Sequence, residues 1–254
     1  ETVAGQGTVG IELLDALDDL DTIMVPVGGG GLIAGLATWV KAHRPGVEIV
    51  GIQSETYPGM IAALAGDELA PSNADTIADG IAVKQPGSLT VPIVRELVDD
   101  VIAVPETTIE RSISLFLEIE KTVAEGAGAV GLAALLEHPD RWRDRRVALV
   151  LSGGNIDTRV LASVLLREMA HSGRITSLRI AVSDTPGQLA PLVSAIASAG
   201  ANVVEIEHRR LFDPISARAT NVDVMLETRD ARHAARVVEA IEAQGYRITR
   251  SETA

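Results

Sequence analysis

Short runs of apolar, mostly β-branched residues alternate with longer helical stretches from Thr22 to about Ser172. This alternation is typical of a parallel sheet covered by helices, because its strands are buried on both faces and each parallel crossover needs a long connection. The candidate strands are residues 23–27, 47–52, 101–104 and 147–151. A helix is predicted after Pro105, where Thr107 or Thr108 can cap its first turn. The first part of the chain is therefore predicted to be an α/β domain.

The pattern changes after Gly173. Alternating apolar residues predict strands, and apolar residues at helical spacing predict helices. The predicted strands are centred on residues 178–182, 204–206, 222–226 and 246–249, and the predicted helices on 189–196 and 234–241, with a polar interruption at 212–220. The order β-α-β-β-α-β predicts a ferredoxin-like α+β domain. We therefore divide the chain into residues 1–172 and residues 173–254.

Composition excludes several classes of partner. The chain has 22 Lys and Arg against 35 Asp and Glu, a net charge of -13, so neither nucleic acid nor an anionic membrane surface would attract it overall. Cysteine is absent, which excludes disulfides and thiolate metal sites. No apolar run approaches the roughly 20 residues of a membrane-spanning helix, and no targeting signal opens the chain. We predict a soluble, cytoplasmic protein that binds neither nucleic acid nor membranes.

Four consecutive glycines, Gly28, Gly29, Gly30 and Gly31, join a predicted strand to a predicted helix that opens with Leu32. Glycine lets the backbone come close to a ligand, and several N–H groups together with a helix N-terminus favour a bound phosphate. The pattern is neither a Walker A loop nor a clean dinucleotide-binding loop. A single phosphate fits it best, and a simple tight turn is the alternative.

A second glycine-containing loop, Ser152-Gly153-Gly154-Asn155, also follows an apolar strand. Ligands of open parallel sheets usually lie at the carboxyl ends of the strands, so both loops are predicted to face one crevice. The hydroxyl of Ser152 could bind an aromatic ring nitrogen without forcing a charge on it. Taken alone, Ser152 is more typical of a helix cap or a turn. Residues 65–87, which include Pro71 and Pro86, are predicted to form a long loop around a short helix.

Motifs taken in order along the chain resemble the threonine ammonia-lyases and their serine dehydratase and serine racemase relatives. They lie at residues 4–9, 26–32, 53–55, 76–80, 125–129 and 151–155. The resemblance covers nearly all of residues 1–165 and implies a fold-type-II (tryptophan synthase β-like) pyridoxal-phosphate domain. It implies that Gly28, Gly29, Gly30, Gly31 and the N–H of Leu32 surround the cofactor phosphate. It also implies that Ser152 meets the pyridine nitrogen and that Glu125 lies near the pocket.

The activity that the resemblance implies is loss of water from threonine or serine, giving a 2-oxo acid and ammonia. The family's Schiff-base lysine lies in an upstream Ser-Phe-Lys motif that does not occur here, so no catalytic residue is assigned in this chain. The lysines present, Lys41, Lys84 and Lys121, are better explained as solvated side chains. Because the chain begins at Glu1, directly before a helical stretch, we expect that an upstream part is missing.

No metal site is predicted. Some family members bind a divalent cation through carboxylates at positions where this sequence has Gln53 and Gly59, leaving Glu55 and Asp79 as weak substitutes. The five histidines show no ligand spacing and are expected to lie on the surface or at helix ends.

The second domain resembles the ACT domains, small amino-acid-sensing modules of metabolic enzymes. The resemblance rests on the stretches at residues 184–189 and 200–203, and it implies an amino-acid effector bound near Asp184, Gly187, Leu189 and Asn202. Asp184 is equally well explained as a helix cap before Pro186. The effector could be isoleucine, valine, another amino acid or none. Allosteric control in isoleucine biosynthesis and a homo-oligomer of two or four chains are further implications of the resemblance.

Two alternatives stay open at this point. The chain could be a non-catalytic amino-acid-binding and oligomerisation module, or it could belong to a serine racemase.

Overall fold

The computed structural model describes residues 1–67, 75–209 and 219–252. The chain forms two compact units, Glu1–Leu161 and Ala162–Ala254. The boundary falls inside helix α7 (Thr158–His171), whereas the change in sequence pattern had placed it at residue 172. Helical periodicity runs through this point, so only the tertiary contacts reveal it. The assignment of residues 1–172 and 173–254 as catalytic and ACT regulatory domains stays a prediction.

The first unit is built on a sheet of four parallel strands, each beginning at or next to its predicted position. They are β1 (Thr22–Pro26), β2 (Glu48–Ser54), β3 (Asp100–Val104) and β4 (Val147–Leu149). Their order is β3-β2-β1-β4, and every residue of β1 is buried. Because β1 pairs in parallel with both β2 and β4, the loops that follow these strands leave the same edge of the sheet.

Six helices accompany this sheet in the described part of the first unit. They are α1 (Thr2–Ala16), α2 (Gly31–His43), α3 (Gly59–Ala65), α4 (Thr90–Leu97), α5 (Glu106–Glu118) and α6 (Gly126–Glu137). The predicted cap of α5 is wrong, because the helix begins at Glu106 and both Thr107 and Thr108 lie within its first turn. The Thr108 hydroxyl instead donates to Glu137 of α6. None of the helices in the described ranges is both long and apolar enough to cross a membrane.

The predicted loop over residues 65–87 is described only in part, since residues 68–74 lie outside the described residues. The described part contains a short 3₁₀ turn, Asp79–Ile81. The core of the unit lies between β1, β2 and α2, where Ile23, Ile33 and Ile49 are fully buried.

The second unit has the predicted order of strands and helices. After α7 come β5 (Ile175–Ser183), α8 (Leu189–Ser198), β6 (Asn202–Arg209), β7 (Ala219–Glu227), α9 (Ala231–Ala243) and β8 (Arg247–Glu252). The sheet order is β6-β7-β5-β8 with antiparallel pairs, and residues of α8 and α9 share one core with alternate residues of β5 and β7. Most of the predicted polar interruption at residues 212–220 lies outside the described residues, and β7 already begins at Ala219.

Candidate functional site

The four glycines form the connection between β1 and α2. Gly30 is the residue before the helix and has φ +88°, a left-handed conformation that favours glycine. A Cβ atom at Gly30 would lie 2.6 Å from Cε of Met60 and 2.8 Å from Oγ1 of Thr90. Glycine is therefore required here on two independent grounds, conformation and space.

Unlike Gly30, the neighbouring glycines of this loop face open space. No described heavy atom lies within 4 Å of the position that a Cβ would take at Gly29 or at Gly31. The N–H groups of Gly31, Leu32 and Ile33 belong to the first turn of α2 and have no intrahelical acceptor, since Ala34 makes the first such bond, to Gly30. A small anion can therefore approach N–H groups at the positive end of a helix with no side chain in the way.

The Ser152 loop leaves the sheet beside the glycine loop. Met24 of β1 pairs with Leu149 of β4, and the N–H of Val150 donates to the Met24 carbonyl at 3.0 Å. Ser152 is exposed and does not cap a helix, because α7 begins six residues later and Asp157 accepts hydrogen bonds from the N–H groups of its first turn. The helix-cap interpretation of Ser152 is therefore wrong.

Glu125 lies against the Ser152 loop. It precedes α6, its N–H donates to the carbonyl of Gly153 at 3.1 Å, and a Cβ at Gly153 would lie 2.3 Å from Oε1 of Glu125. A Cβ at Gly80 would lie 3.9 Å from the same oxygen. The structure thus brings Glu125 next to the Ser152 loop, and its place near a cofactor pocket stays a prediction.

The turn Asp79–Ile81 lies between the glycine loop and the start of α6. A Cβ at Gly28 would lie 3.1 Å from Cα of Ile81, and a Cβ at Gly80 would lie 3.2 Å from Cβ of Ala127 in α6. The glycine loop, this turn and the start of α6 are therefore in contact.

Glu106 fixes the chain just before this turn, and sequence reasoning missed it. Its carboxylate accepts hydrogen bonds from the hydroxyls of Ser54 at 2.5 Å and Thr76 at 2.6 Å, and from the N–H of Ile77 at 3.0 Å. In the sequence, Glu106 is marked only by its place after the proline that follows β3, and this pattern belongs to no motif. The convergence depends on three segments that are distant in the chain.

The three lysines differ in their surroundings. Lys41 donates to Asp99 and to the Val47 carbonyl at 2.7 and 2.8 Å, and Lys121 donates to the Glu118 carbonyl at 2.7 Å. Lys84 is exposed and lies in the segment that packs on the glycine loop, since its neighbour Val83 would contact a Cβ at Gly28.

Gln53 and Gly59, the positions compared above with metal-binding carboxylates, have structural roles here. Gln53 is fully buried, and both ends of its amide are hydrogen-bonded to backbone groups. A Cβ at Gly59 would lie 2.4 Å from the Val83 carbonyl oxygen, so no carboxylate side chain fits there without moving that segment. Among the described residues, no group of three or more His, Asp or Glu side chains could hold a metal ion.

The second unit contains a pocket of about 540 Å³ at the end of β5. It is lined by Asp184, Gly187, Leu189 and His208, among others. Nε2 of His208 is buried and has no hydrogen-bond partner within the part of the chain that the structure describes. Asn202 does not line this pocket, because it begins β6 whereas His208 lies near its end. The structure therefore brings together three of the four residues named from the resemblance.

One histidine at a helix end, as expected, is nevertheless buried. His233, in the first turn of α9, is buried, and its ring joins the N–H of Arg229 to the carbonyl of Ala199. This ring has a structural role that the sequence did not indicate.

A parallel sheet with a glycine-lined anion cradle and a hydroxyl-bearing loop at one edge is the architecture of a phosphate-cofactor enzyme. A sequence profile described as pyridoxal-phosphate dependent enzyme matches residues 1–153. The chain belongs to this family, and the predicted fold class is confirmed.

Relatives agree with this assignment. An L-threonine ammonia-lyase of Thermotoga maritima is 40% identical over 247 residues, which cover 97% of this chain and 61% of that protein. The solved structure of a threonine deaminase from T.th. has a TM-score of 0.57 and 42% identity, covering 61% of this chain and 58% of the other. Maize serine racemase has a TM-score of 0.58 and 38% identity, covering 66% and 53%. The chain thus spans about 61% of the length of the Thermotoga maritima relative.

The open side of the glycine loop fits the phosphate of pyridoxal phosphate. It offers N–H groups at a helix start and no side chain at Gly29 or Gly31. The family is pyridoxal-phosphate dependent, so this is the cofactor against which the loop is compared.

Proposed function

We propose that the chain forms part of a pyridoxal-phosphate-dependent ammonia-lyase that acts on threonine or serine. The observation that carries the proposal is the glycine cradle at the same sheet edge as Ser152 and Glu125. The similarity to L-threonine ammonia-lyase and threonine deaminase supports the choice of reaction. The net change converts the amino acid into a 2-oxo acid and ammonia, with one water lost from the β-carbon and one taken up in the final hydrolysis.

Each residue of the site has a defined task in this proposal. Gly28, Gly29, Gly30, Gly31 and Leu32 hold the cofactor phosphate through N–H groups, and Ser152 offers a neutral hydroxyl to the pyridine nitrogen. Glu125 borders the pocket beside Gly153. The bound cofactor would withdraw electrons from the substrate Cα and so ease loss of its proton and of the β-hydroxyl. A neutral partner at the ring nitrogen suits this reaction, because a Cα carbanion beside a group that can leave needs only modest electron withdrawal.

The test compares the 254-residue chain with any longer product of the same reading frame. We expect the longer product to bind pyridoxal phosphate and to release ammonia and a 2-oxo acid from threonine or serine. Inversion of serine without ammonia release would instead support a racemase, the reaction named for the maize neighbour. If the longer product binds amino acids but neither eliminates nor racemises them, the non-catalytic module is the better description.

The second unit is proposed to be an ACT domain that binds an amino-acid effector in the pocket at Asp184, Gly187 and Leu189. His208 is added to this set, since a buried ring nitrogen with no described partner can be satisfied by a ligand carboxylate. Asn202 stays a separate prediction at the other end of β6. Calorimetric titration with isoleucine, valine and threonine should show binding that His208→Ala weakens and that the control His138→Ala leaves unchanged. Equal affinity in both variants would remove His208 from the site.

A cytoplasmic location, allosteric control in isoleucine biosynthesis and an assembly of two or four chains are parts of the same proposal. Their support is the family resemblance.

A further inference from the structure

A glycine loop that binds an anion has to keep its peptide units in one orientation. Glycine peptides rotate easily, and a rotated unit would turn an N–H group away from the anion and a carbonyl oxygen toward it. The loop therefore needs fixed contacts on its carbonyl groups, on the side away from the anion.

Two such contacts come from buried side chains. Nε2 of Gln53 donates to the carbonyl of Val27 at 3.0 Å. The hydroxyl of Thr90 donates to the carbonyl of Gly29 at 2.6 Å and shares its proton with the more distant carbonyl of Gly87 at 2.9 Å. Gln53 is 0% exposed and Thr90 is 6% exposed. The N–H of Gly87 also donates to Gly29, at 3.1 Å. The carbonyls of Val27 and Gly29, on either side of Gly28, are thus fixed by hydrogen bonds.

Gln53 also links the loop to α3. Its Oε1 accepts hydrogen bonds from the N–H groups of Met60 at 3.0 Å and Ile61 at 3.1 Å. Met60 in turn packs its Cε where a side chain at Gly30 would lie. An amide can donate from its nitrogen to one backbone group while its oxygen accepts from two others.

The amide of Gln53 continues the hydrogen bonding of the sheet beyond its last regular pair. Pro26 and Ile52 are the final paired residues of β1 and β2, and the N–H of Val27 still donates to Ile52 at 2.9 Å. The next hydrogen bond, to the carbonyl of Val27 just after β1, comes from the side chain of Gln53 rather than from a backbone group. The sheet is therefore extended by one residue, up to the first glycine.

From this geometry we infer that Gln53 and Thr90 are positioning residues that anchor the carbonyls of Val27 and Gly29 and so direct the N–H groups of the glycine loop toward the cofactor phosphate. The inference rests on the proposed function of this loop. Neither side chain touches the phosphate in this scheme. Both act through the backbone, because their hydrogen bonds keep the carbonyl oxygens of Val27 and Gly29 turned away from the anion that these oxygens would repel.

The test measures binding of inorganic phosphate and of pyridoxal phosphate to the 254-residue chain by ³¹P NMR titration. Gln53→Met keeps the length of the side chain but loses its hydrogen bonds, and Thr90→Val keeps its shape but loses its hydroxyl. We expect each variant to weaken phosphate binding about tenfold, as loss of the one hydrogen bond that anchors a loop carbonyl allows. Gln53→Glu should be weaker still, because its carboxylate oxygen would face the Val27 carbonyl.

Two controls separate positioning from folding. Thr90→Ser keeps the hydroxyl and should retain wild-type affinity. Thr22→Val removes a buried hydroxyl at the amino end of β1, where it donates to Glu48, and should lower the unfolding midpoint without changing phosphate affinity. The ³¹P chemical shift of the bound phosphate should change in Gln53→Met and Thr90→Val and stay constant in the two controls.

The outcomes are distinguishable. Wild-type affinity in Gln53→Met and Thr90→Val, or an equal loss in Thr22→Val, would overturn the anchoring role while leaving the proposed function intact. If the unchanged chain binds neither inorganic phosphate nor pyridoxal phosphate, the proposed function of the loop fails, and the anchoring role fails with it.

Discussion

Gly30 shows how one residue combines a conformational and a steric requirement. Its φ of +88° lies in the left-handed region, and the space that a side chain would take is filled by Met60 and Thr90. The neighbouring Gly29 and Gly31 face open space instead. Identical residues in one run therefore differ in their surroundings, since Gly30 shapes the turn and the other two leave one side of the loop open.

Gly30→Ala is expected to lower the free energy of unfolding by about 2 kcal/mol, from strain at positive φ and from overpacking against Met60. It should also abolish phosphate binding, since the loop would have to move. The control is Gly46→Ala, a position with no described atom within 4 Å of the added Cβ and an ordinary φ. Denaturant unfolding and ³¹P NMR titration measure both effects. A Gly30→Ala chain with normal stability and phosphate affinity would contradict this account of the loop.

At the scale of single elements, α9 has a charged cap. Asp230 precedes the helix, and its side chain accepts a hydrogen bond from the N–H of His233 at 2.7 Å. This hydrogen bond, chiefly, holds the pKa of Asp230 below its usual value, and the positive charges of Arg236 and Arg229 add to the effect. The charged form is therefore preferred in the folded helix.

The pH dependence follows from the direction of this shift. A carboxyl whose pKa is lowered by folding stabilises the folded state above its unfolded pKa, about 3.9, and loses that contribution as the pH falls through the folded value. Asp230→Ala should therefore lower the thermal midpoint at pH 7, and the difference from wild type should shrink below about pH 4. Thermal unfolding followed by circular dichroism at several pH values measures this. Glu239→Gln, an exposed change on the same helix, is the control, and a difference that does not vary with pH would contradict the capping role.

Element by element, regular periodicity was the reliable part of the sequence. The strands of the first unit and the helix–strand order of the second were predicted, because buried parallel strands and half-buried antiparallel strands have distinct patterns. The cap of α5 was predicted wrongly, because a threonine inside the first turn looks the same in sequence as one before it. Helix boundaries depend on one or two backbone angles, which periodicity does not record.

At the scale of the whole molecule, the family match and the relatives cover different parts of the chain. The family profile ends at residue 153, whereas the alignment with the Thermotoga maritima protein runs over 247 residues and so extends into the second unit. The combination of the two units is thus shared with that L-threonine ammonia-lyase. The net charge of -13 belongs to the same scale and disfavours polyanionic partners for the chain as a whole.

The sequence by itself determined the fold class, and it predicted a phosphate loop at Gly28 to Gly31 that faces the same crevice as Ser152. The fold class and the glycine loop depend on local features, namely periodicity and glycines that follow a strand. The pairing with Ser152 was expected because loops after parallel strands lie at one end of the sheet. Only the tertiary structure decided that Gln53 and Thr90 hold the loop from behind, that Glu106 gathers three distant segments, and that Asn202 lies away from the pocket of Asp184. Such contacts join residues far apart in the chain. The hydrogen-bond partners of one side chain do not affect the periodic pattern of the sequence around it, so this pattern cannot predict them.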